Sequence, residues 1–348
     1  MKKTLSFLLG LLLCAAWADA QNAQPAQGQG GRQRMRQQGP ISVDQLGAHD
    51  PTMIKQGDTY YLFMTGNGVS VYSSKDLNMW TPEPPVLSPA PQWALDEVPG
   101  YRGHTWAPDV SFYNGKYYVY YSCSSFGKNS SAIGVATNVT LDSSDPAFKW
   151  EDQGKVIESV PGRDNWNAID PNLVVDADGT AWLLFGSFWG GMKMVKLDET
   201  RTRIAQPQVW TTVARQPRTT GIGEKEAGDG AIEAPFRMVH DGWYYLFVSL
   251  DYCGRGNDRT YKVAVGRSRN VQGPFVDKDG KRMVDGGGTI LLKGDGEKWA
   301  AVGHSAHYRF DGKDYAICHG YDKTQNGRSL LIIREMTWDD DGWPVCKL

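Results

Sequence analysis

The chain has 348 residues, with 37 basic and 39 acidic side chains and a formal net charge of −2. That balance provides no electrostatic footprint for nucleic acid or an anionic membrane surface, so neither is expected as a partner. Of its 13 Trp and 16 Tyr, many must serve a core. The rest offer flat apolar faces with a polar edge, suited to sugar rings.

The first 20 residues contain Lys2-Lys3, an apolar run from Leu5 to Leu13, and Ala18-Asp19-Ala20. This pattern reads as a secretory signal peptide cleaved after Ala20, too short to span a bilayer. Cys14 follows the bulky Leu13, which argues against a lipid anchor. Residues 21–40 are rich in Gln, Gly and Arg without apolar period and read as a disordered tether. The protein is therefore expected to be exported, periplasmic or extracellular, and no other run is long enough to cross a membrane.

From residue 41 to 348 one phrase returns five times: Asp50-Pro51-Thr52, Trp106-Ala107-Pro108, Asp170-Pro171-Asn172, Glu233-Ala234-Pro235 and His304-Ser305-Ala306. Each copy leads into an apolar strand, a Gly-containing turn such as Asn114-Gly115 or Asp241-Gly242, and an aromatic strand. Asn-Gly and Asp-Gly between such runs are strong hairpin signals. The aromatic strands carry Tyr61, Tyr118, Trp182, Tyr245 and Tyr315, which follow the phrase starts by 11, 12, 12, 12 and 11 residues. Successive starts lie 56, 64, 63 and 71 residues apart, the period of a repeat built from supersecondary units. The expected fold is all-β: a single five-bladed β-propeller, each blade a four-stranded antiparallel sheet. Equivalent positions on the innermost strands then bring Asp50, Trp106, Asp170, Glu233 and His304 to one axis. Asp109 is out of register with that set and reads as structural.

Three carboxyls converging with an imidazole cannot all ionise cheaply, because like charges raise each other's pKa. One is thereby kept protonated as an acid while another acts as a base, the division of labour that glycoside hydrolysis needs. Ile232, Ala234, Pro235 and Phe236 make the surroundings of Glu233 apolar, so Glu233 is the natural acid. Asp50 and Asp170 both precede Pro, which is expected to hold each extended; the residues alone do not say which is the base. Cys123, Cys253, Cys318 and Cys346 follow the leader, and four cysteines in an exported chain allow three full disulfide pairings. None shows CxxC spacing, which argues against zinc.

These phrases resemble glycoside hydrolase family 43, and within it the endo-acting arabinanases. The likeness rests on Ala48-His49-Asp50-Pro51, Trp106-Ala107-Pro108-Asp109-Val110, Ala168-Ile169-Asp170-Pro171-Asn172, Gly186-Ser187-Phe188-Trp189-Gly190-Gly191, Ile232-Glu233-Ala234-Pro235-Phe236 and Val302-Gly303-His304. Tyr252-Cys253-Gly254-Arg255-Gly256 adds to it, although those enzymes often show a second Cys where Gly254 stands. The resemblance implies secreted cleavage of internal α-1,5-L-arabinofuranosyl bonds of arabinan with inversion. It implies Asp50 as general base, Glu233 as general acid and Asp170 as the carboxylate that tunes and orients the acid. Trp106 and Phe126 match aromatic positions lining sugar subsites, and Asn167 and Ser187 polar positions near the scissile bond. His304 matches the residue beside a central calcium ion held largely through water; His307 is the weaker candidate. The substrate partner implied is arabinan or a pectic side chain; no feature of the sequence indicates oligomerisation, so a monomer is expected. An exo-acting α-L-arabinofuranosidase or β-xylosidase of the same fold is the rival reading, and a non-catalytic sugar-binding propeller a more distant one. The inserts Asn138–Trp166 and Thr200–Gly230 are expected to wall the groove.

Overall fold

The computed structural model describes residues 39–253 and 259–348. The expected signal peptide, Cys14, the tether up to residue 38 and the Gly254-Arg255-Gly256 stretch lie outside the described residues. Five antiparallel sheets follow one another along the chain as the blades of a β-propeller. Their innermost strands are Thr52–Gln56, His104–Tyr113, Asn172–Val175, Ile232–His240 and Trp299–Phe310. The aromatic second strands pair with these in register: Tyr61 with Ile54, Tyr118 with Ser111, Trp182 with Val174, Tyr245 with Met238 and Tyr315 with Tyr308. Successive residues of a strand point to opposite neighbouring blades, so second strands such as that of blade four, buried from Tyr245 to Leu250, read as largely apolar runs. The hydrophobic cores lie between blades, as where Phe236, Tyr245 and Phe247 of blade four meet Val302, Ala306 and Ala316 of blade five.

Two blades depart from four strands. Ile41–Ser42 adds outside blade one by pairing with Met79–Glu83, and Gly66–Asn67 pairs with His104–Thr105 at the inner edge of blade two. The segments Asn138–Trp166 and Thr200–Gly230, expected as groove wall, supply the fourth strand of blade two, Glu151–Ser159, and that of blade three, Trp210–Ala214. A single α-helix is described, Gln92–Glu97, and no helix among the described residues is long and apolar enough to cross a membrane. All four described cysteines are free thiols.

Blade five completes its own four strands, so the ring is not closed by a shared sheet. Instead the chain before blade one lies along blade five, with Leu331 donating its N–H to the Leu46 carbonyl at 2.9 Å. At the axis five hydrogen bonds complete the circle, one per blade boundary. The N–H of Ala107 donates to Thr65 Oγ1, Asp170 to Ser122 Oγ, Ala234 to Asp170 Oδ2, His304 to Ser249 Oγ, and Asp50 to His319 Nδ1, all between 2.8 and 3.1 Å. The five donors are the structurally equivalent residues. All adopt left-handed backbone, with φ of 54° at Asp50, 42° at Ala107, 57° at Asp170, 54° at Ala234 and 50° at His304. The sequence expectation is corrected twice here. Asp50 and Asp170 are not extended before their prolines, and in blades two and four the equivalent position is Ala107 and Ala234, one residue after Trp106 and Glu233. The offset of 12 to Tyr118 and Tyr245 contains that shift, whereas the 12 from Asp170 to Trp182 comes from a hairpin one residue longer in blade three.

The acceptors repeat too. Thr65 stands fifteen residues beyond Asp50, and the corresponding second-strand residues are Ser122, Ser249 and His319. In blade three this place is held by Gly186, whose N–H bonds to the Ile169 carbonyl as that of Thr65 does to His49. Gly186 has no side chain to reach blade four, and the carboxylate of Asp170 makes that bond instead.

Candidate active site

A left-handed conformation costs a non-glycine residue roughly 1–2 kcal/mol, which the ring of hydrogen bonds holds in place at five positions. Its effect is to turn the chain inward where each blade meets the axis. Three of the five side chains at this turn are Asp50, Asp170 and His304. Glu233 arrives one residue before the turn of blade four, on a strand tied to the neighbouring loop by a bridge to Ser187.

Around Asp50 the contacts are dense. Its Oδ1 lies 2.9 Å from His304 Nδ1 and 3.7 Å from His319 Nδ1, and Thr65 Oγ1 donates to Oδ2. Burial pushes this carboxyl upward, but the His304 imidazolium and its hydrogen bond outweigh that and hold it well below the usual range. His304 answers in kind: burial lowers its pKa, and Asp50, Asp170 and Glu233 together raise it to about 9. Burial and the neighbouring Glu233 and Asp50 charges push Asp170 up to about 7, against the pull of His304 and of the Ala234 N–H. Glu233 is raised by burial, moderated by hydrogen bonds from Tyr261 and Ser187 Oγ, the latter at 2.9 Å, and by His304. One site therefore holds an ionised carboxylate at Asp50 and a carboxyl disposed to keep its proton at Glu233, the pair that acid–base chemistry requires.

The other expected residues separate. Ser187 is buried and bonded to Glu233. Asn167 is buried, its Oδ1 accepting from Ser131 Oγ at 2.7 Å. Trp106 is part-buried, its indole N–H donating to His104 Nδ1 at 3.0 Å. Phe126 is 55% exposed, an apolar ring presented to solvent. His307 turns away from the axis: it is buried, stacked on Phe247 at 3.5 Å, and burial lowers its pKa to about 3. Asp109 stands apart from the carboxyl cluster, bonded to blade three. It accepts from Asn172 Nδ2 at 3.1 Å and the Leu173 N–H at 2.7 Å, and burial raises it to about 7. Asn172 in turn accepts the Arg237 N–H at 3.0 Å, so a second polar chain links blades two, three and four.

Sequence reasoning missed Tyr261. Its hydroxyl bonds both Glu233 and Ser249, and Ser249 also accepts the His304 N–H. The ring is 1% exposed and fits only because residue 303 is glycine: a Cβ there would stand 2.1 Å from Tyr261 Cε1. Cys253 also lies near the three carboxyls, and burial pushes its thiol well up, so it is a neutral neighbour rather than a nucleophile.

Calcium takes six to eight oxygen ligands. His49, Asp50 and His319 offer ligand atoms within 4.8 Å of one another, but that trio is nitrogen-rich, and His319 Nδ1 and both oxygens of Asp50 are already engaged. Around His304, by contrast, three carboxyls face one imidazole, an oxygen-rich surround that fits a hydrated dication better.

A propeller whose axis gathers two Asp, one Glu and one His, with one carboxyl ionised and another kept protonated, has the apparatus of a glycoside hydrolase. The chain belongs to that class through glycosyl hydrolases family 43, whose pattern matches residues 41–344. It is 47% identical over 300 residues, 86% of either chain, to an extracellular exo-α-(1→5)-L-arabinofuranosidase of Cellvibrio japonicus. It is 41% identical over 305 residues to an extracellular endo-α-(1→5)-L-arabinanase of Bacillus subtilis, covering 85% of this chain and 86% of that one. An α-L-arabinanase of Cellvibrio cellulosa, solved with arabinohexaose, superposes with a TM-score of 0.85 at 46% identity, over 88% of this chain and 96% of that one.

Proposed function

We propose that the protein hydrolyses α-(1→5)-linked L-arabinan with inversion, as an exported monomeric enzyme. Asp50 is the general base: its contacts with His304 and Thr65 keep it ionised and able to take a proton from water. Glu233 is the general acid, delivering its proton to the leaving oxygen. Asp170 is the orienting carboxylate: its bond to the Ala234 N–H fixes the backbone beside the acid. Inversion needs about 6.5–9.5 Å between base and acid for the attacking water, a span that different blades facing one axis can supply. Trp106 and Phe126 offer aromatic faces to arabinose rings, and Asn167 and Ser187 polar groups beside the scissile bond. The observation that carries the reading is the geometry that brings Asp50, held by His304 and Thr65, and Glu233, held by Ser187, to one site.

Bond position within the polymer divides into two modes. Internal cleavage is the sequence-based expectation and the activity of the Bacillus relative. Release from chain ends is favoured by the higher identity to the exo-acting Cellvibrio japonicus enzyme. A time course of product sizes from linear α-1,5-arabinan distinguishes them: early oligosaccharides mean internal cleavage, while a single short product from the outset means exo action. No product from arabinan refutes the proposal.

A calcium ion beside His304, held largely through water, belongs to the same reading; it would supply fixed positive charge to the axial cluster. Dialysis against EDTA then lowers the midpoint of thermal unfolding and added calcium restores it, a stabilisation of about 2.7 kcal/mol when calcium is at a hundredfold its Kd. A midpoint that ignores both treatments refutes the ion.

A further inference from the structure

Between blades three and four, beside the loop that carries Ser187, lies a cavity of about 480 Å³. That volume is within the range of ligand sites, ~300–1,000 Å³. Its lining includes Lys193, Arg215, Arg218, Trp189 and Thr212, with Glu224 as the acidic member. Lys193 is 8% exposed, on a strand whose other side packs in the core. Its ammonium donates to the Gly190 carbonyl at 3.1 Å and to Thr212 Oγ1 at 2.9 Å. No carboxylate among the described residues bonds it, and burial with the nearby Arg215 charge lowers its pKa to about 8. A buried lysine leaning on two neutral acceptors is an incomplete arrangement, because a buried charge ordinarily has a counter-ion.

Other groups around the cavity are similarly unfinished. The indole N–H of Trp189, also 8% exposed, has no partner among the described residues. Arg215 uses its Nε on the Val284 carbonyl, 2.7 Å away, and is otherwise exposed. Arg218 spends its terminal nitrogens on the carbonyls of Gly223, Glu224 and Glu226, and its charge also acts on Asp229, outside the lining. Within the lining, three cations face one acid. Gly190 keeps the ammonium accessible: a Cβ there would stand 2.5 Å from the Asn165 carbonyl and 3.3 Å from Lys193 Nζ.

We propose that this cavity binds the carboxylate of an acidic sugar, a uronic acid unit belonging to the polysaccharide on which the enzyme acts. The polymer context rests on the function proposed above; the anion chemistry rests on Lys193, Arg215 and Trp189 alone. Lysine and arginine give charge-assisted hydrogen bonds to the carboxylate. Trp189 presents an aromatic wall to the ring, and Thr212 and Asn165 hydrogen-bonding groups for its hydroxyls. The loop Ser187–Gly191 runs from this cavity to Glu233, so a uronate bound here would anchor a branched chain beside the hydrolytic site.

Titration calorimetry on the whole protein tests this with digalacturonate, with a neutral galactose disaccharide and with inorganic sulfate, at low and moderate salt. Digalacturonate is expected to bind, more weakly as salt rises, while the neutral sugar does not and sulfate binds at least tenfold more weakly. Lys193→Gln is expected to lower affinity tenfold or more. Arg215→Gln, which changes an exposed side chain, lowers it severalfold with arabinan hydrolysis unchanged and decides the matter if Lys193→Gln does not fold. Equal binding of the acidic and neutral sugars, no binding of digalacturonate, sulfate as tight as the sugar, or both variants binding as the unmodified protein would each overturn the proposal. Arabinan hydrolysis is assayed on the same preparation, so loss of that activity and loss of uronate binding are separate results.

Discussion

Replacing Tyr261 by Phe removes one oxygen and leaves the ring that fills the space over Gly303. What is lost is the hydrogen bond that favours the ionised form of Glu233. A hydrogen bond to a charged group contributes about 1.5–3 kcal/mol, and a tenfold change in a proton-binding constant corresponds to about 1.4 kcal/mol, so the acid's pKa should rise by about 1–2. The acid works protonated. Raising its pKa therefore moves the alkaline limb of the kcat/KM profile upward by the same amount and leaves the acidic limb, set by the base, in place. The assay is initial rates on linear arabinan across the acid, neutral and alkaline range. If Tyr261 only packed the core, the variant would lose activity evenly at every pH. An alkaline limb that does not move refutes the link from Tyr261 to the acid.

Further expectations follow from the same contacts. Asp109 has a folded pKa of about 7, raised by burial from an unfolded value near ~4, so its contribution to stability is complete below pH ~4 and disappears as pH rises through 7. A carboxyl moved that far loses at most ~4 kcal/mol across the window, and Asp109→Asn should flatten the fall in melting temperature between pH ~4 and ~7; an unchanged slope refutes it. Ser122→Ala leaves the buried Asp170 N–H without its acceptor and should cost about 1–3 kcal/mol in denaturant unfolding, whereas a cost near zero would mean the axial ring contributes nothing. Gly303→Ala should drive Tyr261 off Glu233 and reproduce the alkaline-limb shift of Tyr261→Phe along with a loss of stability; a variant with an unchanged profile would show that the ring finds other room.

The repeat was legible because each blade announces itself locally: a short phrase that in four of five copies contains Pro, a Gly-containing turn, an aromatic run. Hairpin signals act over a few residues, and five copies made the architecture plain. The register error in blades two and four had a physical origin. The chemical residues stand out in sequence, whereas the conformational repeat runs through Ala107 and Ala234, whose left-handed backbone nothing in their side chains announces. The circle of hydrogen bonds was equally hidden. Thr65, Ser122, Ser249 and His319 are of three residue types, joined only by a distance along the chain and the capacity to accept a hydrogen bond. Tyr261 and Gly303 belong to consecutive blades and meet only in the folded ring. The cavity around Lys193 is likewise a product of packing, since it joins the Gly190 turn to a connection more than twenty residues later. Where chemistry was concentrated in one residue, as in Asp50, Asp170, Glu233 and His304, the sequence sufficed to bring the candidates together; their protonation states needed the burial and the neighbours.

The most direct test of the account is Glu233→Gln assayed on linear α-1,5-arabinan, with binding of an arabinan oligosaccharide measured alongside. The substitution keeps the side chain's size and its hydrogen bond with Ser187 but cannot supply a proton to the leaving oxygen. General acid catalysis is worth about 10²–10⁴ in rate, so turnover should fall by at least a hundredfold while affinity for the oligosaccharide stays within a few-fold of the unmodified protein. Activity close to that of the unmodified protein would contradict Glu233 as the acid, and with it the division of roles around the axis.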